Sequence, residues 1–148
     1  MTSDKYLEEY VNFDTAKHLM EMGFDEYCSH FYRLDGEHEY CCKAKLPQLT
    51  NNDIRNHDDW VNREFACTCP TLQVAMKWLR ETHKLFIEVH IVGHSTVYMD
   101  NKYYFYRLYK DRRPLKLVEK TFMTYEEACE DAINSCLDNY VYKDEDGI

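Results

Sequence analysis

Glycine and proline are scarce in this sequence, which contains only four Gly and three Pro among 148 residues. So few glycines leave little room for a glycine-rich phosphate-binding loop, and neither residue type forms a low-complexity linker. No stretch approaches the roughly 20 apolar residues that a membrane-spanning helix needs. The first ten residues lack both a basic segment and an apolar core, so we expect no secretory signal. These absences favour a cytoplasmic protein that does not associate with membranes.

Acidic residues outnumber basic ones, and the two are unevenly distributed. The formal net charge is −9, and segments 1–40 and 121–148 each carry a net −7. Segment 102–120 is the exception, because its seven bases and two acids give a net charge of +5. A negatively charged chain repels nucleic acid, so we expect no direct nucleic-acid binding. The basic segment can still hold one small anion.

Cysteine is abundant, and its spacing bears on metal binding. Seven cysteines, an odd number without a secretory signal, predict reduced thiols in a cytoplasm. Structural zinc sites use two well-spaced ligand pairs, whereas Cys67 and Cys69 are separated by one residue and Cys41 adjoins Cys42. We therefore expect buried thiols, no metal and no cofactor.

Helical periodicity of apolar residues predicts three helices, at 12–22, at about 70–83 and from 124 to about 140. Asn12 is suited to capping the first helix, and Gly23 to the left-handed position that follows it. Thr124 with Glu127 three residues later is typical of a capping box at the start of the last helix.

Strand signals fall between these helices. The pattern of residues 28–44 predicts a hairpin that turns at 35–37. The polar segment 45–69 predicts an irregular connection. Further strands are predicted at the ranges 86–92, 103–109 and 115–120, with a turn at 111–114. The order α-β-β-α-β-β-β-α favours an α+β class: a single domain over 1–148 with a mostly antiparallel sheet and helices mainly on one face. We expect the ends, 1–10 and 143–148, to be frayed.

Some of these segments resemble a known group of proteins. They are PTLQVAMKWLRE at 70–81, FIEV at 86–89, TYEEACEDAI at 124–133 and NFDTAKHLMEMGF at 12–24. The pattern resembles small uncharacterised proteins of gut Bacteroidetes and their phages, a group without an assigned activity. The resemblance implies an origin in a phage or mobile element, and by analogy a phage accessory protein that antagonises a host defence by binding one of its components.

The basic segment interleaves aromatic residues with cations, and this is the most informative feature for function. If 103–109 is a strand, its odd-numbered residues share one face and its even-numbered residues the other, and one face must enter the core. The remaining face then presents rings, which stack on bases, beside cations, which neutralise phosphate. The alternative is an ordinary edge strand, because Tyr favours strands and Lys or Arg protects edges.

The sequence thus predicts a ligand site with two kinds of residue. The phosphate-holding residues are Arg107, Lys110, Arg112 and Arg113, and the stacking residues are Tyr104, Tyr106 or Trp60. Trp60 has an alternative role, which is to pack its own loop against the protein.

Three hypotheses for the function follow. The first is a non-enzymatic protein that sequesters a nucleotide-like small anion, with the ligand between subunits of a homo-oligomer. The second is an acidic inhibitor that binds a host defence protein by covering its basic surface. The third is a small-molecule enzyme that uses Glu88 and His90, which alternation places on one face of the strand at 86–92.

Overall fold

A computed structural model of the chain describes residues 9–35, 38–43, 48–56, 65–95, 100–115 and 120–141. It combines helices with antiparallel strands, which confirms the α+β class. Its strands form two three-stranded sheets, where one sheet was predicted. The chain divides into a first unit, Met1–Ala75 with Tyr142–Ile148, and a second unit, Met76–Val141. That the whole chain is one domain stays a prediction.

The first unit is built around a three-stranded antiparallel sheet. Its elements are α1 (Phe13–Glu21), β1 (His30–Asp35), β2 (His38–Lys43), α2 (Asn51–Asn56) and β3 (Phe65–Thr68). Strand β1 lies between β2 and β3 and is antiparallel to both, so the pairing of the two arms of the predicted hairpin is confirmed. Residues 36–37 of its predicted turn lie outside the described ranges.

Helix α1 begins and ends where the sequence predicts. The Asn12 side chain accepts a hydrogen bond from the backbone amide of Thr15 at 2.9 Å, and Gly23 adopts a φ of +100° just after the helix. Glu9 and Tyr10 are predicted to be frayed, but both are paired through backbone groups. The Glu9 carbonyl accepts the Leu72 amide at 3.0 Å, and Tyr10 forms an antiparallel bridge. The other residues predicted to be frayed lie outside the described ranges.

The connection at 45–69, predicted to be irregular, contains both α2 and β3. A reciprocal cap starts α2: Asp53 N donates to Thr50 Oγ at 3.1 Å, and Thr50 N donates to Asp53 Oδ2 at 3.0 Å. The buried Asn51 side chain then donates to the Phe24 carbonyl at 2.8 Å and accepts from the Thr68 amide at 2.9 Å. These bonds satisfy backbone groups that a buried irregular segment would leave unpaired.

The second unit carries most of the residues predicted to be functional. Helix α3 (Leu72–His83) begins in the first unit, and β4 (Leu85–Ser95), β5 (Asp100–Lys110), β6 (Arg113–Pro114) and α4 (Tyr125–Asn139) follow it. The strands pair antiparallel in the order β4-β5-β6. Helix α4, capped by Thr124 as predicted, packs against β4 and β5. No helix in the described ranges is long and apolar enough to cross a membrane.

Candidate functional site

The two faces of β5 differ sharply in burial. Tyr106 is 1% exposed and Leu108 is 3% exposed, so the even-numbered face forms core beneath α4. The Tyr106 hydroxyl donates a 2.7 Å hydrogen bond to Asp131 of that helix. Arg107, by contrast, is exposed, as expected from alternation along a strand. We call the opposite side of the β4–β5 pair, which carries the odd-numbered residues of β5 and the even-numbered residues of β4, the open face.

This division corrects one of the predicted stacking residues. The Tyr106 ring packs against Phe122 with centroids 5.9 Å apart, and burial, followed by its bond to Asp131, raises the pKa of its hydroxyl well above the ordinary value. A ring enclosed in this way is not available to a ligand. Tyr104 lies on the same face, edge-on to Tyr125 at 6.4 Å, and so points away from Arg107. The third stacking candidate, Trp60, lies outside the described residues.

A tight turn joins β5 to β6. Asp111 and Arg112 have φ values of 48° and 69°, and Lys110 pairs directly with Arg113. Left-handed φ at both central residues is the hallmark of a two-residue type I′ hairpin turn. The turn is therefore shorter than the predicted 111–114, and β6 begins at Arg113. Of the strand predicted at 115–120, residues 116–119 lie outside the described ranges.

The turn gathers cations at one end of the sheet. Asp111 N donates to the Lys84 carbonyl at 3.2 Å, which ties the turn to the junction between α3 and β4. We call this end the basic tip. It comprises Lys84, Lys110, Arg112 and Arg113. The positive charge of the basic tip also acts on His83. Burial lowers the pKa of His83, and the charge of Lys110 lowers it further.

Two open cavities adjoin at the basic tip. One, of about 530 Å³, is lined by Lys110, Asp111, Arg113 and Leu115. The other, of about 290 Å³, is lined by Arg107, Leu108, Tyr109, Pro114 and Leu115. Leu115 is common to both linings. The structure therefore brings together Lys110 and Arg113, which pair across β5 and β6 and line the first cavity. Arg107 lines the second cavity, on the face of β5 opposite Lys110, and Arg112 lies exposed on the turn.

A network of charged and aromatic groups occupies the middle of the open face. Glu88 lies directly opposite Arg107, and His90 opposite Phe105. His90 Nε2 contacts Glu88 Oε1, and the His90 ring stacks on Phe105 with centroids 4.9 Å apart and planes 15° apart. The Arg107 guanidinium lies 5.8 Å from the centroid of the Phe105 ring. The prediction that Glu88 and His90 share a face is confirmed, while their use in catalysis stays a prediction.

Several residues of this site are not among those predicted from the sequence. Lys84 belongs to the site because its backbone carbonyl is hydrogen-bonded to the turn. Phe86 belongs to it because it lies opposite Tyr109 on the open face. The register of a two-residue hairpin would have identified Tyr109 and Leu115. Arg rarely adopts the positive φ that a two-residue turn requires, so the sequence predicts a longer turn, at 111–114. The longer turn does not give the pairing of Lys110 with Arg113.

The buried cysteines are poor candidates for reactive groups. Burial raises the pKa of Cys28 and of Cys129 to about 11, and that of Cys136 to about 12. These thiols are protonated at neutral pH, whereas nucleophiles and metal ligands act as thiolates. Cys67 and Cys69 are also buried, and the side chains of Cys41 and Cys42 lie outside the described part of the structure. Within that part, no three His, Cys, Asp or Glu side chains are grouped to hold a metal ion.

Comparison of the chain with protein-family models, with curated proteins and with solved structures gives no match. The function is therefore inferred from the chemistry of the site.

Proposed function

We propose that this chain is a non-enzymatic binding protein that sequesters a nucleotide-like small anion at the basic tip of its second unit. The observation that carries the proposal is the position of Arg107, Lys110 and Arg113 in the linings of two adjoining cavities that also include Tyr109. Cations and an aromatic ring in adjoining cavities match the two halves of a nucleotide, its phosphate and its base.

The phosphate end is favoured by the concentration of positive charge. Four bases form the basic tip, and Asp111 is the acid within its turn. Arg113 is exposed, so its guanidinium can form the paired hydrogen bonds that phosphate oxygens accept from arginine. A phosphate bound here would also relieve the mutual repulsion of the cations.

The base end is favoured by the open face next to the tip. Phe86 and Tyr109 lie directly opposite each other in the β4–β5 register, and Phe86 is 39% exposed. Partly exposed rings of this kind accept a stacked base, which is worth about 1–3 kcal/mol. In a phage accessory protein, retention of a nucleotide signal would deprive a host defence of the molecule that activates it.

The experiment is isothermal titration calorimetry with guanosine and adenosine 5′-monophosphates, and with the nucleosides and inorganic phosphate as separate probes. We expect a nucleotide to bind more tightly than its nucleoside or phosphate alone, because both halves of the site contribute. Arg113→Ala should weaken binding by at least about tenfold, since a hydrogen bond to a charged group is worth about 1.5–3 kcal/mol. Lys17→Ala, which removes an exposed cation from α1, is the matched control.

Failure of both nucleotides to bind the folded protein would overturn the proposal. Equal loss of affinity in Lys17→Ala and Arg113→Ala would also contradict it, because binding would then follow overall charge. The released ligand should be recovered unchanged after denaturation.

The contact between Glu88 and His90 favours a second candidate, acid–base catalysis on a small molecule. Incubation with each nucleotide followed by chromatography tests it directly. A new product that disappears in His90→Gln would favour the enzyme over the sequestering protein.

A further inference from the structure

The centre of the open face carries one acid directly opposite one base, Glu88 opposite Arg107. We propose that this pair reads the base of the bound nucleotide and makes the site selective for guanine. The inference rests on the proposed function, because it assigns the base that accompanies the phosphate at the basic tip.

The distances along β4 suit this assignment. Lys84 of the basic tip directly precedes β4 and Glu88 lies four residues further along the chain, which is about 13 Å at the usual rise of a strand. A nucleotide spans a similar length from its phosphate to the far edge of its base. The Phe86–Tyr109 pair lies between these two points, where the base would need a surface for stacking.

The chemistry of the pair matches guanine. Arginine donates two hydrogen bonds to the acceptors O6 and N7 of guanine, a common specific contact with this base. A carboxylate accepts hydrogen bonds from donors, and the adjacent edge of guanine offers N1–H and the N2 amino group. Adenine presents an amino donor in place of O6 and has no N2 amino group, so it would mismatch both Arg107 and Glu88.

Neighbouring side chains hold the pair in place. His90 contacts Glu88 Oε1, and its ring is stacked on Phe105, which limits the orientations of the carboxylate. A carboxylate has about four lone-pair sites, so the contact with His90 leaves acceptors for a ligand. Glu88 is about half exposed, with 50% of its side chain accessible, and is therefore within reach of a base on the open face.

The test compares three probes by calorimetry: guanosine, inosine and adenosine 5′-monophosphates. We expect the guanosine nucleotide to bind at least about tenfold more tightly than the adenosine nucleotide. Inosine, which lacks only the N2 amino group, should fall between them. Glu88→Gln should remove most of this preference, because an amide replaces one acceptor with a donor.

Glu21→Gln makes the same chemical change at an exposed residue of α1 and should leave the preference intact. Melting temperatures of both variants establish that they fold. If all three nucleotides bind equally, or if Glu88→Gln keeps the guanine preference, the inference is overturned while the proposed function stands. If no nucleotide binds, the proposed function fails and the inference fails with it.

Discussion

The backbone amide of Asp111 donates a 3.2 Å hydrogen bond to the carbonyl of Lys84, and both residues have left-handed backbone conformations, with φ of 48° and 58°. The bond joins the β5–β6 turn to the end of α3. It holds the basic tip together through backbone groups, so side chains there can be exchanged without removing it.

Replacing Arg112 with glycine should separate stability from binding. Arg112 has a φ of 69°, and a left-handed conformation costs an L-residue about 1–2 kcal/mol, from which the entropy of glycine takes back about 0.5–1 kcal/mol. Arg112→Gly should therefore stabilise the protein by up to about 1.5 kcal/mol. The same change removes a cation from the basic tip, so nucleotide affinity should fall.

Chemical denaturation and calorimetry on the same sample measure both effects. Arg112→Ala is the matched control, because it removes the charge and keeps the strain. Unchanged affinity in both variants would exclude Arg112 from the phosphate site.

Replacing Tyr106 with phenylalanine should lower stability and leave nucleotide affinity unchanged. The change removes the 2.7 Å hydrogen bond to Asp131 and leaves that carboxylate with Lys120 at 3.9 Å. We expect a loss of about 1–3 kcal/mol in the free energy of unfolding. Nucleotide binding should be unchanged, because Tyr106 lies on the face beneath α4.

Urea denaturation and calorimetry check this pair of expectations, with Tyr103→Phe on the exposed end of β5 as the control. A fall in nucleotide affinity without a fall in the free energy of unfolding would contradict this expectation. It would show that Tyr106 belongs to the ligand site, as the sequence predicts.

His83 should report on binding through its pKa. That pKa is lowered from 6.5 by burial and then by the positive charge of Lys110. The folded protein therefore binds fewer protons at this ring than the unfolded chain, so stability from His83 is present above pH 6.5 and is lost as the pH falls below that value. A bound phosphate offsets the charge of Lys110 and should raise the pKa of His83.

An NMR titration of the His83 ring, with and without guanosine 5′-monophosphate, measures this change. The signal is assigned by its absence in His83→Gln. A pKa of His83 that stays constant when the nucleotide binds would place the phosphate away from Lys110.

Much of the fold could be predicted from local sequence signals. Asn12, Gly23 and Thr124 mark helix ends through short-range capping that needs no tertiary information. Helix α2 is not among the predicted elements, although Thr50 and Asp53 have the spacing of a capping box. The polar residues around it favour a loop. Strand β3 could not be predicted, since four residues give little periodicity and its pairing with β1 is a long-range contact.

The candidate site was predicted in part. Alternation along β5 correctly separated Arg107 from Tyr106 onto different faces, but the sequence could not determine which face α4 covers. The predicted site therefore combined residues from both faces. The cavities depend on the left-handed turn at Asp111 and Arg112, which nothing in the local sequence favours for arginine.

The most direct test of the proposed binding site is a ¹⁵N NMR titration of the intact protein with guanosine 5′-monophosphate. We expect the largest chemical-shift changes at the amides of Lys84, Arg107 and residues 109–113 and 115, and unchanged signals from the amides of α1. Absence of shifts at millimolar nucleotide, or shifts confined to the first unit, would contradict it.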